Sequence, residues 1–344
     1  VARFLHNELV QGRWSGMMPG APAIAEELEI DPKTAGIALN QLEQEGFLEG
    51  QGPGRRRKIL LPEDLVTPAL RVAILDYEPL ELTEEWSITM QQLLTDAGHS
   101  AFFAEKSLIE LGLNVGHIAR LVARTQADAW VVCSGSREVL RWFAEQETPA
   151  FALFGRRREL PIAGIGPDKA PAYRAAARRL MALGHQRIVL LERESRRTGG
   201  VGFPERALLE EIASHGFPTG PYNLPDWEDT PEGFSRVLDE LFRVTPPTAL
   251  IIDEAFLFHA AKEHLAQKGI VAPKHVSLVC TDPDPTFAWC RPSVAHIRWD
   301  RRPVVRRVVR WAHNIARGKD DRRQSFTRAE FVDGGTVGAV PAAR

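Results

Sequence analysis

The sequence of 344 residues predicts an α/β fold, in which a small helical domain precedes a larger one built of doubly wound parallel sheets. Six short apolar runs have the continuous hydrophobic character of strands buried on both faces, at 72–75, 130–133, 151–154, 188–191, 249–252 and 276–279. Helical patterns of ten or more residues separate most of these runs, at 84–97, 171–183, 204–214 and 255–268. Such strand–helix alternation favours parallel sheets that are covered by helices on both faces.

Composition narrows the class of protein further. With 44% hydrophobic residues, 26% charged residues and a net charge of −2, the chain is typical of a globular protein. No stretch approaches the roughly 20 apolar residues of a membrane span, and the N-terminus lacks the apolar core of a signal peptide, so we expect a cytoplasmic protein with no membrane partner. The three irregularly spaced cysteines, Cys133, Cys280 and Cys290, fit no disulfide framework or zinc site, and we expect neither a metal nor a cofactor.

The first sixty residues predict two closely joined helices. Residues 22–28 have the apolar spacing of a short helix, and Glu29 and Ile30 form the turn after it. Asp31 then caps a second helix that begins at Pro32 and ends before Gly46. Two helices joined this tightly form a helix-turn-helix, whose second helix enters the major groove of DNA.

A cationic hairpin follows the second helix. Residues 47–49 and 55–60 predict two short strands around a glycine-rich tip, and they bring four cations together. Residues 1–62 hold seven Lys or Arg against eight Asp or Glu, so the positive charge is confined to this wing. The run of cations is typical either of a solvated hairpin or of a wing on double-stranded DNA; its place after a helix-turn-helix favours DNA. The expected DNA contacts are Lys33, Thr34, Arg55, Arg56, Arg57 and Lys58.

The motifs of this N-terminal segment resemble the winged helix-turn-helix of the GntR family. The resemblance rests on Gly12-Arg13-Trp14, Met18-Pro19-Gly20, Ile24-Ala25, Thr34, Ala38-Leu39, Leu42-Glu43, Glu45-Gly46 and Gly52-Pro53-Gly54. The chain departs from the family at three positions: Asp31 replaces a serine, Pro32 a basic residue and Gly36 an arginine. The resemblance implies a transcriptional regulator that binds an operator.

A second set of motifs resembles the effector-binding domain of the LacI/GalR family, itself similar to periplasmic sugar-binding proteins. It comprises Ile165-Gly166-Pro167-Asp168, Leu183-Gly184-His185, Arg206, Pro247-Thr248-Ala249, Gly269 to Pro273, Asp282, Pro292-Ser293-Val294 and a closing strand within 328–336. The resemblance implies a periplasmic-binding-protein-like domain of two lobes, a small-molecule effector such as a sugar or related metabolite, and a homodimeric repressor. The combination of both domains resembles the AraR-type repressors.

These patterns divide the chain into three parts. We expect a DNA-binding domain at 1–62, a linker at 63–70 that is bracketed by prolines, and an effector domain at 71–344. In the effector domain, lobe 1 comprises about 71–155 and 291–325, and lobe 2 comprises about 156–290 and 326–344. The effector is expected between the two lobes.

Polar residues at strand ends mark the expected effector site. Asp76, Asp253 and Asp282 each follow a buried strand, and ligands of open α/β sheets bind at the carboxyl ends of the strands. The family resemblance adds Arg206 to Asp253 and Asp282 as sugar-contacting positions, and Trp289 is a candidate to cover a sugar face. The alternatives are a turn or cap role for the aspartates and an exposed helix position for Arg206.

An enzyme is the alternative class of function. The paired carboxylates Asp253 and Asp282 suit glycoside chemistry if they lie about 5–9 Å apart, so a carbohydrate-acting enzyme stays open. Gly199-Gly200-Val201-Gly202 does not complete a dinucleotide motif, and the spacing of His259 and His264 is that of no common zinc motif. The arginines between 306 and 317 are expected to form a solvated helix face.

Overall fold

The computed structural model describes residues 1–10, 13–52, 54–60, 68–79, 85–193 and 200–340. Most of the expected linker and Pro53 of the wing tip therefore lie outside the described residues. The described helices are α1 (Ala2–Val10), α2 (Ala21–Leu28), α3 (Pro32–Gln44), α4 (Glu85–Asp96), α5 (Val115–Arg124), α6 (Arg137–Ala144), α7 (Ala170–Ala182), α8 (Phe203–Ser214), α9 (Pro231–Val244), α10 (Ala255–Gln267) and α11 (Arg302–Ala316). Among them, no helix is long and apolar enough to cross a membrane.

The described strands are β1 (Leu48–Glu49), β2 (Lys58–Ile59), β3 (Arg71–Leu75), β4 (Ser100–Phe103), β5 (Ala129–Cys133), β6 (Ala150–Leu153), β7 (Ala163–Asp168), β8 (Ile188–Leu191), β9 (Ala249–Ile252), β10 (Ser277–Cys280), β11 (Ala295–Trp299) and β12 (Gln324–Val332). The chain forms two compact units. Unit 1 comprises 1–135, 139–165 and 301–324, and unit 2 comprises 136–138, 166–300 and 325–344.

The N-terminal part of unit 1 is a helix-turn-helix with a wing. The side chain of Asp31 accepts hydrogen bonds from the backbone N–H groups of Lys33 and Thr34, which is how an N-cap begins α3. Glu29 takes the left-handed conformation (φ 53°) and turns the chain between α2 and α3. Strands β1 and β2 pair antiparallel as the wing. A small apolar core holds these elements together, formed by Leu5, Leu9, Ile24, Leu39, Leu42 and Leu48 among others.

The rest of unit 1 is a parallel sheet with the strand order β4-β3-β5-β6-β7. Alternate strand residues face opposite sides, because side chains of a strand point up and down in turn. On one side, Ala73, Leu75, Trp130 and Val132 pack against α5 and α6. On the other side, the ring of Phe151 lies 5.2 Å from that of Trp311 on α11. The sheet is therefore covered on both faces, as the apolar runs predicted.

Unit 2 repeats this architecture. Its parallel strands follow the order β11-β10-β9-β8, and β12 pairs antiparallel with β11. One face of the sheet packs against α9 and α10. The other face packs against α7 and α8. The α/β class and the doubly wound sheets predicted from the sequence are confirmed.

The sequence patterns missed some strands for identifiable reasons. Strand β7 carries two glycines and a proline and so shows no apolar run. One of them, Gly164, is required by packing, because a Cβ there would lie 2.5 Å from the carbonyl oxygen of Ala152 and from the Arg157 side chain. The closing strand, expected within 328–336, lies at Gln324–Val332.

Candidate functional site

The exposed side of α3 forms the first candidate surface. We call its exposed residues after Pro32 the groove face: Lys33, Thr34, Ile37, Asn40, Gln41 and Gln44. None of these side chains is acidic, and Ala35, Ala38, Leu39 and Leu42 on the opposite side are buried in the core of the head. The groove face is therefore presented to solvent, with Lys33 as its cation.

The cations of the wing divide into two groups. Arg55, Arg56 and Lys58 are exposed. The guanidinium of Arg57 is directed to α3 instead, where its Nε lies 2.6 Å from Glu43 Oε2 and its Nη2 donates to Asn40 Oδ1 at 2.5 Å. In this structure Arg57 fastens the wing to the flank of the groove face, which differs from the phosphate contact expected from the sequence.

Two carboxylates of the head, Glu8 and Glu27, form ion pairs both within the head and with α11 of unit 1. Glu8 lies 2.8 Å from Arg13 and 3.4 Å from Arg310, and Glu27 lies 3.0 Å from Arg13 and 2.6 Å from Arg306. Since Arg306 and Arg310 belong to α11, these pairs join the head to the body of unit 1. The negative charge that makes the head weakly acidic by sequence is thus partly neutralised by arginines outside residues 1–62.

The solvated arginine face expected for α11 is only partly present. Arg307 is 9% exposed, and its guanidinium donates to both oxygens of Asp321, at 3.0 and 2.7 Å. The guanidinium carbon of Arg307 also lies over the ring of Phe151, 5.4 Å from the ring centroid. The periodicity placed Val304, Val305 and Val308 inward correctly, but the acidic partners of the arginines are far away in sequence and gave no local signal.

The carboxyl ends of the unit 2 strands form the second candidate site. Glu192 follows β8, Asp253 follows β9, and Thr281 and Asp282 follow β10. Thr281 Oγ1 donates to Asp253 Oδ1 at 2.5 Å and lies 3.4 Å from Asp282 Oδ2, so one hydroxyl touches both carboxylates that the sequence singled out. We call the whole group the strand-end cluster: Lys169, Tyr173, Glu192, Glu205, Asp253, Thr281, Asp282 and Trp299.

Two donors from other elements contact the carboxylate of Asp282. Lys169, directly before α7, places its Nζ 2.8 Å from Asp282 Oδ1, and Trp299 at the end of β11 donates to the same oxygen from Nε1 at 3.0 Å. The two side chains of the ion pair are 17% and 19% exposed. An aspartate with an ammonium, an indole and a hydroxyl around it has the arrangement of a polar binding site, where fixed donors orient an acceptor.

The phenol of Tyr173 lies near several negative charges of the strand-end cluster. Its side chain is buried, and burial raises the pKa of the Tyr173 phenol well above its usual value, with further increases from the negative charges of Asp253, Glu205, Glu192 and Asp282. Four carboxylates from four separate elements therefore lie near one phenol. Nearby, Arg193 is paired with Glu254 at 3.1 Å and lies over the ring of Phe256, 4.8 Å from its centroid.

Two expected effector contacts lie outside the cluster. Arg206 is exposed on α8, whereas its neighbour Glu205 is 6% exposed and belongs to the cluster. Trp289 is 87% exposed at the end of a short 3-10 helix, and the indole that meets the carboxylates is that of Trp299. Sequence reasoning missed Glu205 and Trp299, although Trp299 carries a usable signal, since it too ends a strand.

Asp76 occupies the corresponding position in unit 1, after β3. Its Oδ1 accepts from the backbone N–H of Tyr77 at 2.8 Å. Burial raises the pKa of the Asp76 carboxyl above its usual value, although the nearby Ser87 hydroxyl and the backbone N–H of Tyr77 oppose this effect. The buried thiol of Cys133 lies close enough for the charge of Asp76 to add to the rise of its pKa, which burial dominates. Asp76 is thus a desolvated strand-end carboxyl in its own unit.

In the described ranges, no group of three or more His, Cys, Asp or Glu side chains has an arrangement that could hold a metal ion. His264 is paired with Asp239 at 2.6 Å, and His259 lies 3.0 Å from the hydroxyl of Thr286. Both histidines therefore have ordinary polar partners on or beside α10.

The chain is similar to known proteins in its fold. A family model described as a periplasmic binding protein-like domain matches residues 177–337. No curated protein sequence matches the chain. Among solved structures, a dimeric Lac repressor is 17% identical with a TM-score of 0.63, and the match covers 78% of this chain and 100% of that one.

Two further structures give the same result. The transcription regulator CcpA of Lactococcus lactis is 11% identical with a TM-score of 0.64, covering 78% of this chain and 100% of that one. A LacI family transcriptional regulator from Enterococcus faecium, solved with bound ribose, is 14% identical with a TM-score of 0.59, covering 78% and 98%. At these identities the likeness establishes the fold alone: the chain carries a periplasmic-binding-protein-like domain.

Proposed function

We propose that this chain is a transcriptional repressor whose GntR-type head binds an operator in double-stranded DNA and whose periplasmic-binding-protein-like domain binds a small-molecule effector. The observation that carries the proposal is the groove face of α3, which lacks carboxylates and stands beside the exposed wing cations Arg55, Arg56 and Lys58. A helix of this size fits the major groove, and cations at its side neutralise phosphates.

Two heads are needed for useful affinity. Each head offers few phosphate contacts, and a homodimer places two of them on half-sites about 34 Å apart. We therefore propose a homodimer on a pseudo-palindromic operator. The division into a head at 1–62, a linker at 63–70 and an effector domain at 71–344 is part of this proposal.

The strand-end cluster of unit 2 is the proposed effector site. Asp253 and Asp282 offer acceptors for hydroxyl groups, Lys169 offers a donor, and Trp299 offers an apolar ring beside them. A sugar or related polyol presents this mixture of hydroxyls and apolar C–H faces. The regulator of Enterococcus faecium with bound ribose supports a sugar-class ligand by its shared fold.

The effector acts on DNA binding through the protein's conformational equilibrium. A ligand shifts operator affinity only by its differential affinity for two states, typically about 1–3 kcal/mol of coupling. Helix α11 belongs to the body of unit 1 and holds Glu8 and Glu27 of the head through Arg310 and Arg306. This direct attachment gives the head a route by which it follows changes in the body.

The test is a salt titration of DNA binding with the full-length chain. Duplexes from its own upstream region should bind with an affinity that falls steeply with salt, and Arg56→Ala should lower the slope of log Kd against log salt by about one unit. Arg57→Ala is the matched control, because Arg57 contacts Glu43, so its slope should change less. When the titration is repeated in the presence of pentoses or hexoses, at least one sugar should change the affinity of the chain for the duplex. Salt-independent binding, or an unchanged slope in Arg56→Ala, would refute the proposal.

A further inference from the structure

The middle of the groove face is apolar. Ile37 is 61% exposed, and at 100° per residue it lies midway between Asn40 and Thr34, at the centre of the exposed side of α3. The other positions of the groove face are a lysine, a threonine and three amides. An isoleucine in this place gives the helix a hydrophobic contact where the remaining side chains offer hydrogen bonds.

Two of the flanking amides are already bonded within the head. Asn40 Oδ1 accepts from Arg57 at 2.5 Å, and Gln41 Nε2 donates to Glu45 Oε1 at 2.8 Å. Helix α3 contains no arginine, which is the side chain that most often recognises guanine through two hydrogen bonds. The groove face is thus poor in guanine-recognising groups and has an aliphatic side chain at its centre.

We infer that Ile37 is a specificity-determining residue that packs against the C5-methyl group of a thymine in the major groove. The inference rests on the proposed DNA-binding function of the head. Among the base edges exposed in the major groove, only thymine presents a methyl group, so an aliphatic side chain distinguishes it from cytosine and from both purines. Each half-site is therefore expected to contain one thymine whose methyl group meets Ile37.

Charge supports DNA as the partner of this apolar position. Lys33 begins the groove face, and the exposed cations Arg55, Arg56 and Lys58 lie on the wing that Arg57 fastens to its flank. The exposed residues of the groove face itself are free of negative charge. A hydrophobic partner protein would not require this rim of cations, whereas two phosphate backbones do.

The experiment first selects a binding duplex from a randomised library with the full-length chain, then replaces each thymine of that duplex by uracil in turn. Uracil differs from thymine only by the missing methyl group. For the wild type, uracil at one position in each half-site should weaken binding about four-fold, which corresponds to the lost burial of one methyl group. In Ile37→Ala the same replacement should change Kd by less than about 1.5-fold, because the partner of the methyl group is gone.

Met17→Ala supplies the matched control, since Met17 is an exposed apolar residue of the head outside α3. It should keep the full uracil effect. Identical uracil profiles in wild type and Ile37→Ala, or no position that responds to uracil, would overturn the inference while leaving DNA binding intact. A change of oligomeric state in Ile37→Ala would assign the residue to contacts between copies and overturn it as well. Failure of the wild type to enrich any duplex would instead refute the proposed function, and the inference with it.

Discussion

The head and unit 2 place their charged groups in opposite environments. In the head, the cations of the groove face and the wing tip stay in solvent, where they interact weakly with one another and strongly with a polyanion. In unit 2, the carboxylates of the strand-end cluster are largely shielded from water, and Asp253 and Asp282 are held by Thr281, Lys169 and Trp299. The first arrangement suits a large, highly charged partner, and the second suits a small one that replaces water.

The comparison also concerns stability. Exposed charges contribute little to folding, whereas a buried charge that loses its partner is costly. Substitutions in the strand-end cluster should therefore act on the free energy of unfolding. Substitutions among exposed charges should act on binding and on salt dependence, and leave folding nearly unchanged.

The largest effect is expected from Asp282→Ala. This change removes the carboxylate from Lys169 and the acceptor from Trp299, both largely shielded from solvent, and should destabilise unit 2 by about 2–3 kcal/mol. For a unit of this size that corresponds to a fall in thermal midpoint of about 4–12 °C. Calorimetry of the full-length chain measures it.

The control for this prediction is Glu330→Ala, also in unit 2. Its pair with Arg298 is short, at 2.5 Å, but the two side chains are 41% and 62% exposed, so the loss of stability should be much smaller than in Asp282→Ala. Adding Lys169→Met to Asp282→Ala should restore part of the midpoint, because the partly shielded ammonium that has lost its carboxylate is then removed as well. Equal losses in Asp282→Ala and Glu330→Ala would remove the distinction between the two environments.

The strand-end cluster shows which parts of a site a sequence can predict. Asp253 and Asp282 could be predicted from the sequence because they directly follow strands, and the topology of a parallel sheet brings strand ends to one edge. Glu205 and Arg206 were not distinguishable, since adjacent helix residues point about 100° apart and the phase of α8 depends on its packing. Trp289 and Trp299 differ in the same way: only the fold determines which indole reaches Asp282. Arg57 likewise has its partner fourteen positions away, beyond the reach of local patterns.

A smaller effect is expected from a buried histidine pair in unit 1. His99 on the approach to β4 and His313 on α11 are both buried, with His99 Nε2 lying 3.0 Å from His313 Nδ1. The backbone N–H of Leu70 donates to His99 Nδ1 at 3.3 Å, so the neutral ring carries its proton on Nε2. Burial lowers the pKa of the His99 imidazole below its usual value. The folded chain thus resists a proton that the unfolded chain accepts.

The sign of the pH effect follows from these two states. Above about pH 6.5 neither state is protonated at His99, and the contribution to stability is complete. As the pH falls below 6.5, the unfolded state binds a proton first, so stability is lost until the lowered pKa of the folded state is reached. In His99→Gln the thermal midpoint should fall less between pH 7.5 and 5.5 than in the wild type. The remaining slope belongs to other groups, including His185, whose pKa burial also lowers.

The exposed His117→Gln is the control for this measurement and should retain the slope of the wild type. If His99→Gln retained it too, the pH dependence would have to come from other buried groups. His99 would then be a packing residue only.

The smallest effect is expected where α11 holds the head. Arg306 and Arg310 are 54% and 47% exposed, so their pairs with Glu27 and Glu8 should each contribute about 0.2–1 kcal/mol. The double variant Arg306→Ala/Arg310→Ala should lower the thermal midpoint of the head by a few degrees at low salt. At 1 M salt the Debye length is about 3 Å, and the difference from the wild type should nearly vanish.

A charge-matched control separates this pairing from a general loss of positive charge. Arg120 and Arg141 are exposed arginines on other helices of unit 1, and their double alanine variant removes the same charge without touching the head. If both double variants shifted the midpoint equally, the ion pairs with α11 would contribute nothing to the stability of the head. If only Arg306→Ala/Arg310→Ala responded, and only at low salt, the head would be electrostatically attached to the body through α11. Exposed charges would then contribute to more than DNA binding, and the contrast with unit 2 would be one of degree, set by how much water each pair retains.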